Sequence, residues 1–109
     1  LKAEVKAVFS PDLDRDELPD DPENASVYIV ADIGIEGEVG ADMFTFYAQT
    51  RGCPVVKGSL CLDRFDWDTV ENEIRRIASE AKGYQCWEDI ARHIGKYGLW
   101  EYEGMEPLR

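Results

Sequence analysis

Three kinds of side chain in this sequence could carry chemistry: a run of carboxylates, three cysteines and a single histidine. Asp12, Asp14 and Asp16, with Glu23 at the twelfth position counted from Asp12, fall where a helix–loop–helix calcium site places its oxygen ligands. The match fails at the sharp turn, where such a loop needs glycine and this chain has Glu17. Pro19 and Pro22 occupy the eighth and eleventh positions, and the residues before Asp12 alternate like a strand. The segment reads as a solvated acidic loop, with no metal bound. His93 would need a thiolate beside it and a third group to orient it before it could serve a cysteine hydrolase. None of Cys53, Cys61 and Cys86 sits in a recognisable nucleophile turn, and no C-x-x-C pair supports a zinc site with His93. Phosphate-binding and nucleophile-elbow glycine motifs are missing as well. No cofactor is expected.

The charge balance says more than any motif. Twelve basic against 23 acidic residues give a net charge of −11. Nucleic acid would be repelled by such a chain, and a basic partner would be attracted. Seven of the acidic residues crowd into the stretch from Ser10 to Ser26, namely Asp12, Asp14, Asp16, Glu17, Asp20, Asp21 and Glu23, and Arg15 is the single base among them. No apolar run approaches the roughly 20 residues of a membrane span. No secretory leader is visible. Three cysteines are an odd number for a disulfide framework, so reduced thiols, no disulfide and a cytoplasmic location are expected.

The elements that must position these groups follow from periodicity. Leu1 to Ser10 alternates, with Leu1, Ala3, Val5, Ala7 and Phe9 on one side, as a half-buried strand. The proline-containing acidic stretch then reads as an exposed loop. Val27, Ile29, Ala31, Ile33 and Ile35 share one face of a long strand, and Tyr28, Val30, Asp32 and Gly34 share the other. Phe44, Phe46 and Ala48 alternate against Thr45, Tyr47 and Gln49 in its partner, and Glu36 to Gly40 supplies the turn of an antiparallel hairpin. Residues 51–54 are a break, 55–58 carry no assignment, and Ser59 to Phe65 reads as a fourth strand with Leu60 and Leu62 inward. Asp66 can cap a helix over 66–82, whose stripe is Trp67, Val70, Ile74, Ile77, Ala78 and Ala81. A second helix over 87–96 presents Trp87, Ile90, Ala91 and Ile94, and Leu99 to Glu103 reads as a last strand. The expected fold is one α+β domain over 1–109, an antiparallel sheet of about five strands with two helices packed on one face. Its core is expected to hold Val27, Ile29, Ala31, Ile33, Phe44, Phe46, Leu62, Val70, Ile74, Ile77, Ile90 and Ile94.

Four strings, in order, carry a resemblance. They are Ser10-Pro-Asp-Leu13, Asp42-Met-Phe-Thr-Phe46, Gly83 to Trp87 followed by Ile90 and Ile94, and Trp100-Glu-Tyr-Glu103. Together they resemble the immunity protein 8 family of bacterial polymorphic toxin systems. The chain departs from that pattern where Thr50-Arg-Gly-Cys-Pro-Val55 replaces a Thr-Pro and aromatic-Leu segment, and where Cys86 replaces a capping threonine. The resemblance implies a non-enzymatic protein that binds a cognate toxin and blocks it inside the producing cell. Acidity in such families goes with a basic nuclease toxin. The partner surface is then expected among Asp12, Asp14, Asp16, Asp20 and Asp21 on the loop, Tyr28 on the strand face away from the core, and Trp100, Glu101, Tyr102 and Glu103 near the chain end. Should the loop not be the contact, Glu36 and Glu38 join Glu101 and Glu103 as the acidic candidates. A structural or adaptor domain is the alternative, and a Cys/His93 hydrolase is the one the residues support least.

Overall fold

The computed structural model describes residues 1–53 and 56–103. Five strands and two helices follow in the order β1 (Ala3–Phe9), β2 (Ser26–Ile35), β3 (Asp42–Gln49), β4 (Ser59–Cys61), α1 (Trp67–Glu80), α2 (Trp87–Ile94) and β5 (Leu99–Trp100). The sheet runs β1-β2-β3-β4, and β5 pairs with β3 on the same edge as β4, further back along the strand. It is an α+β fold with a mostly antiparallel sheet, as expected. The exception is β4, which pairs parallel to β3 with Tyr47 opposite Ser59 and Gln49 opposite Cys61.

The two-residue period of β2 and β3 divides the sheet into two faces. Val27, Ile29, Ala31 and Ile33 point inward with Phe44, Phe46 and Ala48, and all seven are buried. Onto them pack Val70, Ile74 and Ile77 of α1 and Ile90, Ala91 and Ile94 of α2, forming one core cluster. Asp66 starts α1 by accepting hydrogen bonds from the Thr69 amide at 3.2 Å and the Thr69 hydroxyl at 2.7 Å. The helix stops at Glu80, and Gly83 turns the chain with φ +86°. Cys86 precedes α2 without a side-chain cap bond, and Glu88 and Asp89 occupy the first turn, where the helix dipole favours negative charge. No described helix is long and apolar enough to cross a membrane.

Several expectations need correcting. The alternation of β1 does not run through: the register shifts between Val5 and Ala7, so Val5 and Val8 are inward while Ala7 and Phe9 are exposed. One extra residue in a strand reverses the facing of everything beyond it. The fourth strand ends at Cys61 rather than Phe65. Leu62 donates its amide to Gln49 O at 2.8 Å and then the chain bends toward α1, which leaves Leu62 half-buried. Residues 101–103 turn away from the sheet, so the last strand is two residues long. Cys53 and Cys61 form a disulfide, against the expectation of three free thiols, and Cys86 is left as a free, exposed cysteine. The bond joins the segment after β3 to the end of β4, two places the sequence separates by only eight positions. The unassigned stretch 55–58 and the departure at Thr50 to Val55 fall partly outside the described residues, at Pro54 and Val55.

Candidate functional site

The acidic loop leaves β1 and returns to β2 at one end of the sheet, and it is fastened to the start of α1. Trp67 donates its indole N–H to Glu17 O at 3.0 Å, and the Phe65 amide donates to Pro22 O at 2.7 Å. Arg15 reaches back over the Trp67 ring, 4.9 Å from its centroid, donates to Val8 O at 3.0 Å and pairs with Glu71 at 3.1 Å. The one base of the loop is thus spent on the body of the protein. All seven carboxylates remain exposed. Those of Asp14, Asp16 and Glu17 converge to within 4.8 Å of one another, and Glu17 also accepts the Asp14 amide at 3.0 Å. Like charges held this close in solvent produce a concentrated negative potential.

The other expected residues lie elsewhere. Trp100 faces inward, opposite Phe44, half-buried against the core. Its indole N–H donates to Asp42 Oδ2 at 3.0 Å, and the same oxygen accepts the Trp87 indole at 2.7 Å. Asp42 therefore ties β5 and the start of α2 to β3. Nothing in its sequence neighbourhood marks it for that task. Glu101 extends the ladder beyond β5: its amide donates to Met43 O at 3.1 Å and its carboxylate accepts the Met43 amide at 2.8 Å. Glu103 pairs with Lys57. Tyr102 is exposed and meets Trp100 edge-on. The loop and the 100–103 segment are not brought together.

Between them lies the sheet face without helices, where Tyr28 sits. Register partners share a face, and they build two continuous rows here. Phe9, Val30, Thr45 and Leu99 form one across β1, β2, β3 and β5; Tyr28, Tyr47 and Ser59 form the next. Tyr28 and Tyr47 stack edge to face with centroids 5.4 Å apart, and the Tyr28 hydroxyl lies 3.4 Å from that of Thr45. Phe9, Met43, Tyr47 and Leu99 are each 37–45% exposed. Tyr47 was legible as the outward neighbour of Phe46, and Phe9 was hidden by the slip in β1.

The hydrolase alternative loses most of its parts. Two of its cysteines are joined in the disulfide, and His93 is held by a hydrogen bond between Nδ1 and the Tyr84 hydroxyl at 2.9 Å.

A family model described as immunity protein 8 matches residues 3–105, nearly the whole chain. This chain belongs to the immunity protein 8 family. No curated protein and no solved structure matches it. For an immunity protein the useful surfaces are those that can meet another protein. This one offers two of different character: a charged loop at the end of the sheet and an aromatic platform on its open face.

Proposed function

We propose that this immunity protein neutralises a cognate toxin by binding it non-covalently, without catalysis, in the cytoplasm of the producing cell, and that the toxin presents a basic surface such as that of a nuclease domain. The observation that carries this reading is the acidic loop. Seven exposed carboxylates stand on one segment, and the only base there is turned back onto Trp67 and Glu71. Such a field accelerates encounter with a basic partner and fades with added salt. Asp12, Asp14, Asp16, Asp20 and Asp21 are its steering residues. Tyr28 and Tyr102 offer aromatic contacts, Glu101 and Glu103 a second acidic margin, and Trp100 supports that margin from beneath.

The test uses the cognate toxin domain, sought among the genes that flank the one encoding this chain. The wild-type chain should suppress its activity at one-to-one stoichiometry. Replacing the five aspartates together with asparagine should slow association by at least about tenfold at low salt and flatten its salt dependence. An association rate unchanged at both salt concentrations would remove the loop from the contact. A toxin that stays active in excess immunity protein would refute neutralisation itself.

A further inference from the structure

The loop can steer, but exposed charge alone contributes little to holding a complex. We propose that the helix-free face of the sheet, centred on Tyr28 and Tyr47, is the seat of the toxin, and that its occupant is a basic toxin surface presenting apolar side chains among lysines and arginines. This inference rests on the reading that the chain binds a toxin, and it names the part of the chain that holds it.

Four observations converge. First, the centre carries apolar and aromatic side chains around Thr45, whose hydroxyl lies 3.4 Å from that of Tyr28, where a solvated sheet face would be polar throughout. Phe9, Val30, Thr45 and Leu99 cross four strands in one row, and Tyr28 and Tyr47 lie in the next. Val30 is buried on this face yet belongs to no part of the core cluster under the helices. A contiguous exposed apolar patch with polar surroundings is the usual mark of an interaction site. Second, the residue types suit recognition. Tyrosine couples a large rigid ring to a polar tip, which is why it is enriched where partners meet.

Third, the face has a raised end. The β2–β3 turn folds back over the sheet at Gly34, where an added Cβ would lie 2.3 Å from Gly40 O. Only glycine admits that overhang. The turn carries Val39 fully exposed to solvent, an apolar side chain with no cover of its own. Fourth, the charge at the margins that is left without a cationic partner on this face is negative, at Asp32 and Glu101. Asp32 lies on the face opposite Met43, Glu4 lies opposite Gly34, and Glu101 borders Met43. The lysines nearby are already matched, Lys6 with Glu4 at 2.7 Å and Lys57 with Glu103. A second copy of this chain would bring those carboxylates against their own kind, on a molecule of net charge −11. A basic partner would meet complementary charge around an apolar and aromatic centre.

The experiment measures both rates of binding to the cognate toxin domain that the neutralisation test identifies, for the wild type, Tyr47→Ala, Leu99→Ser and the α2 control Asp89→Asn. Tyr47→Ala and Leu99→Ser should dissociate at least about tenfold faster, as expected for side chains at an interface centre. Their association rates should stay near wild type, and Asp89→Asn should change neither rate. Hydroxyl-radical footprinting of the wild-type complex should show Met43, Tyr47 and Leu99 protected and α2 unchanged, a readout that needs no variant to fold. Wild-type binding with undiminished labelling of Met43 and Tyr47, or with unaltered dissociation of both variants, would overturn this inference while leaving neutralisation intact. A chain that dimerises alone through this face, with toxin binding insensitive to Tyr47→Ala, would overturn it in favour of a second copy. Absence of any wild-type binding would overturn the functional reading, and this inference with it.

Discussion

The two faces of the β2–β3 hairpin are built from alternate residues of the same strands, and they have opposite chemistry. Inward are Ile29, Ala31, Ile33, Phe44 and Phe46, all without measurable exposure. Outward are Tyr28, Val30, Asp32, Met43, Thr45 and Tyr47. Both faces are rich in large side chains, so size does not separate them. The polar tip does. A phenylalanine under α1 and α2 has no group to satisfy, whereas each outward tyrosine keeps a hydroxyl that needs water or a partner. The inner face uses apolar area to fold the chain. The outer face keeps Met43 and Tyr47 partly in contact with solvent, where they can be covered later. Damage to the first should lower stability, and damage to the second should alter recognition.

The strongest test of that division is Ile74→Ala. Ile74 is fully buried between α1 and the sheet, so truncation removes transfer energy and leaves a cavity, costing about 2–5 kcal/mol in urea denaturation. Binding by the fraction that remains folded should be unchanged. A loss under about half a kcal/mol would show that the α1 stripe is not the core. The disulfide comes next. Closing a short loop between Cys53 and Cys61 restricts the unfolded chain, and on loop-entropy grounds its removal by Cys61→Ser should cost about 2–3 kcal/mol. Alkylation of the unfolded, unreduced chain should tag Cys86 alone, and prior reduction should expose all three thiols. Three tags without reduction would mean that the bond does not form.

Gly98→Ala probes the inner face from the opposite direction, by overfilling it. An added Cβ would lie 2.5–2.9 Å from three atoms of the Phe46 ring, which is itself fully buried and has nowhere to move. Overpacking of this kind costs about 1–3 kcal/mol. Since Gly98 immediately precedes β5, the strain should also disturb Leu99, making this the one inner-face change expected to reach the outer face. Wild-type stability in this variant would mean that β5 can shift away from β3.

What could be read from the sequence follows the range of the forces involved. The hairpin and both helices announce themselves through local period, and Asp66 through its place before an apolar stripe. The core list failed only at Leu62, where the strand ends early. The slip in β1 could not be seen, because Leu1, Ala3, Val5, Ala7 and Phe9 alternate without interruption and Val8 gives no sign of turning inward. The parallel pairing of β4 and the Cys53–Cys61 bond depend on the path of the connection between them, which no periodicity records. The exposed carboxylates of the loop were legible from its prolines and composition. The inward turn of Trp100 was not, because it depends on Asp42, 58 residues away, accepting two indole hydrogens.

The smallest effect is expected at Asp66, which belongs to neither face. Its carboxylate receives the Thr69 hydroxyl and amide, and the hydroxyl bond most, then the amide, hold its pKa below the ordinary aspartate value of 3.8. A carboxyl whose folded pKa is lowered stabilises the fold above its unfolded pKa, and that contribution disappears as pH falls through the folded value. Asp66→Asn keeps a capping oxygen but loses the charge. At pH 7 the variant should therefore unfold at slightly lower urea than the wild type, and the gap should close as pH drops below the aspartate range. Glu73, held low mainly by its hydrogen bond from Arg76, titrates with the same sign in both proteins and cancels from the difference. Asp66→Ala, with no oxygen to offer, should retain a deficit even in acid. A gap between wild type and Asp66→Asn that does not change with pH would show that the cap works by geometry rather than charge. Toxin dissociation should be unaltered in both variants, since Asp66 starts the helix layer behind the sheet and the proposed seat lies on the opposite side.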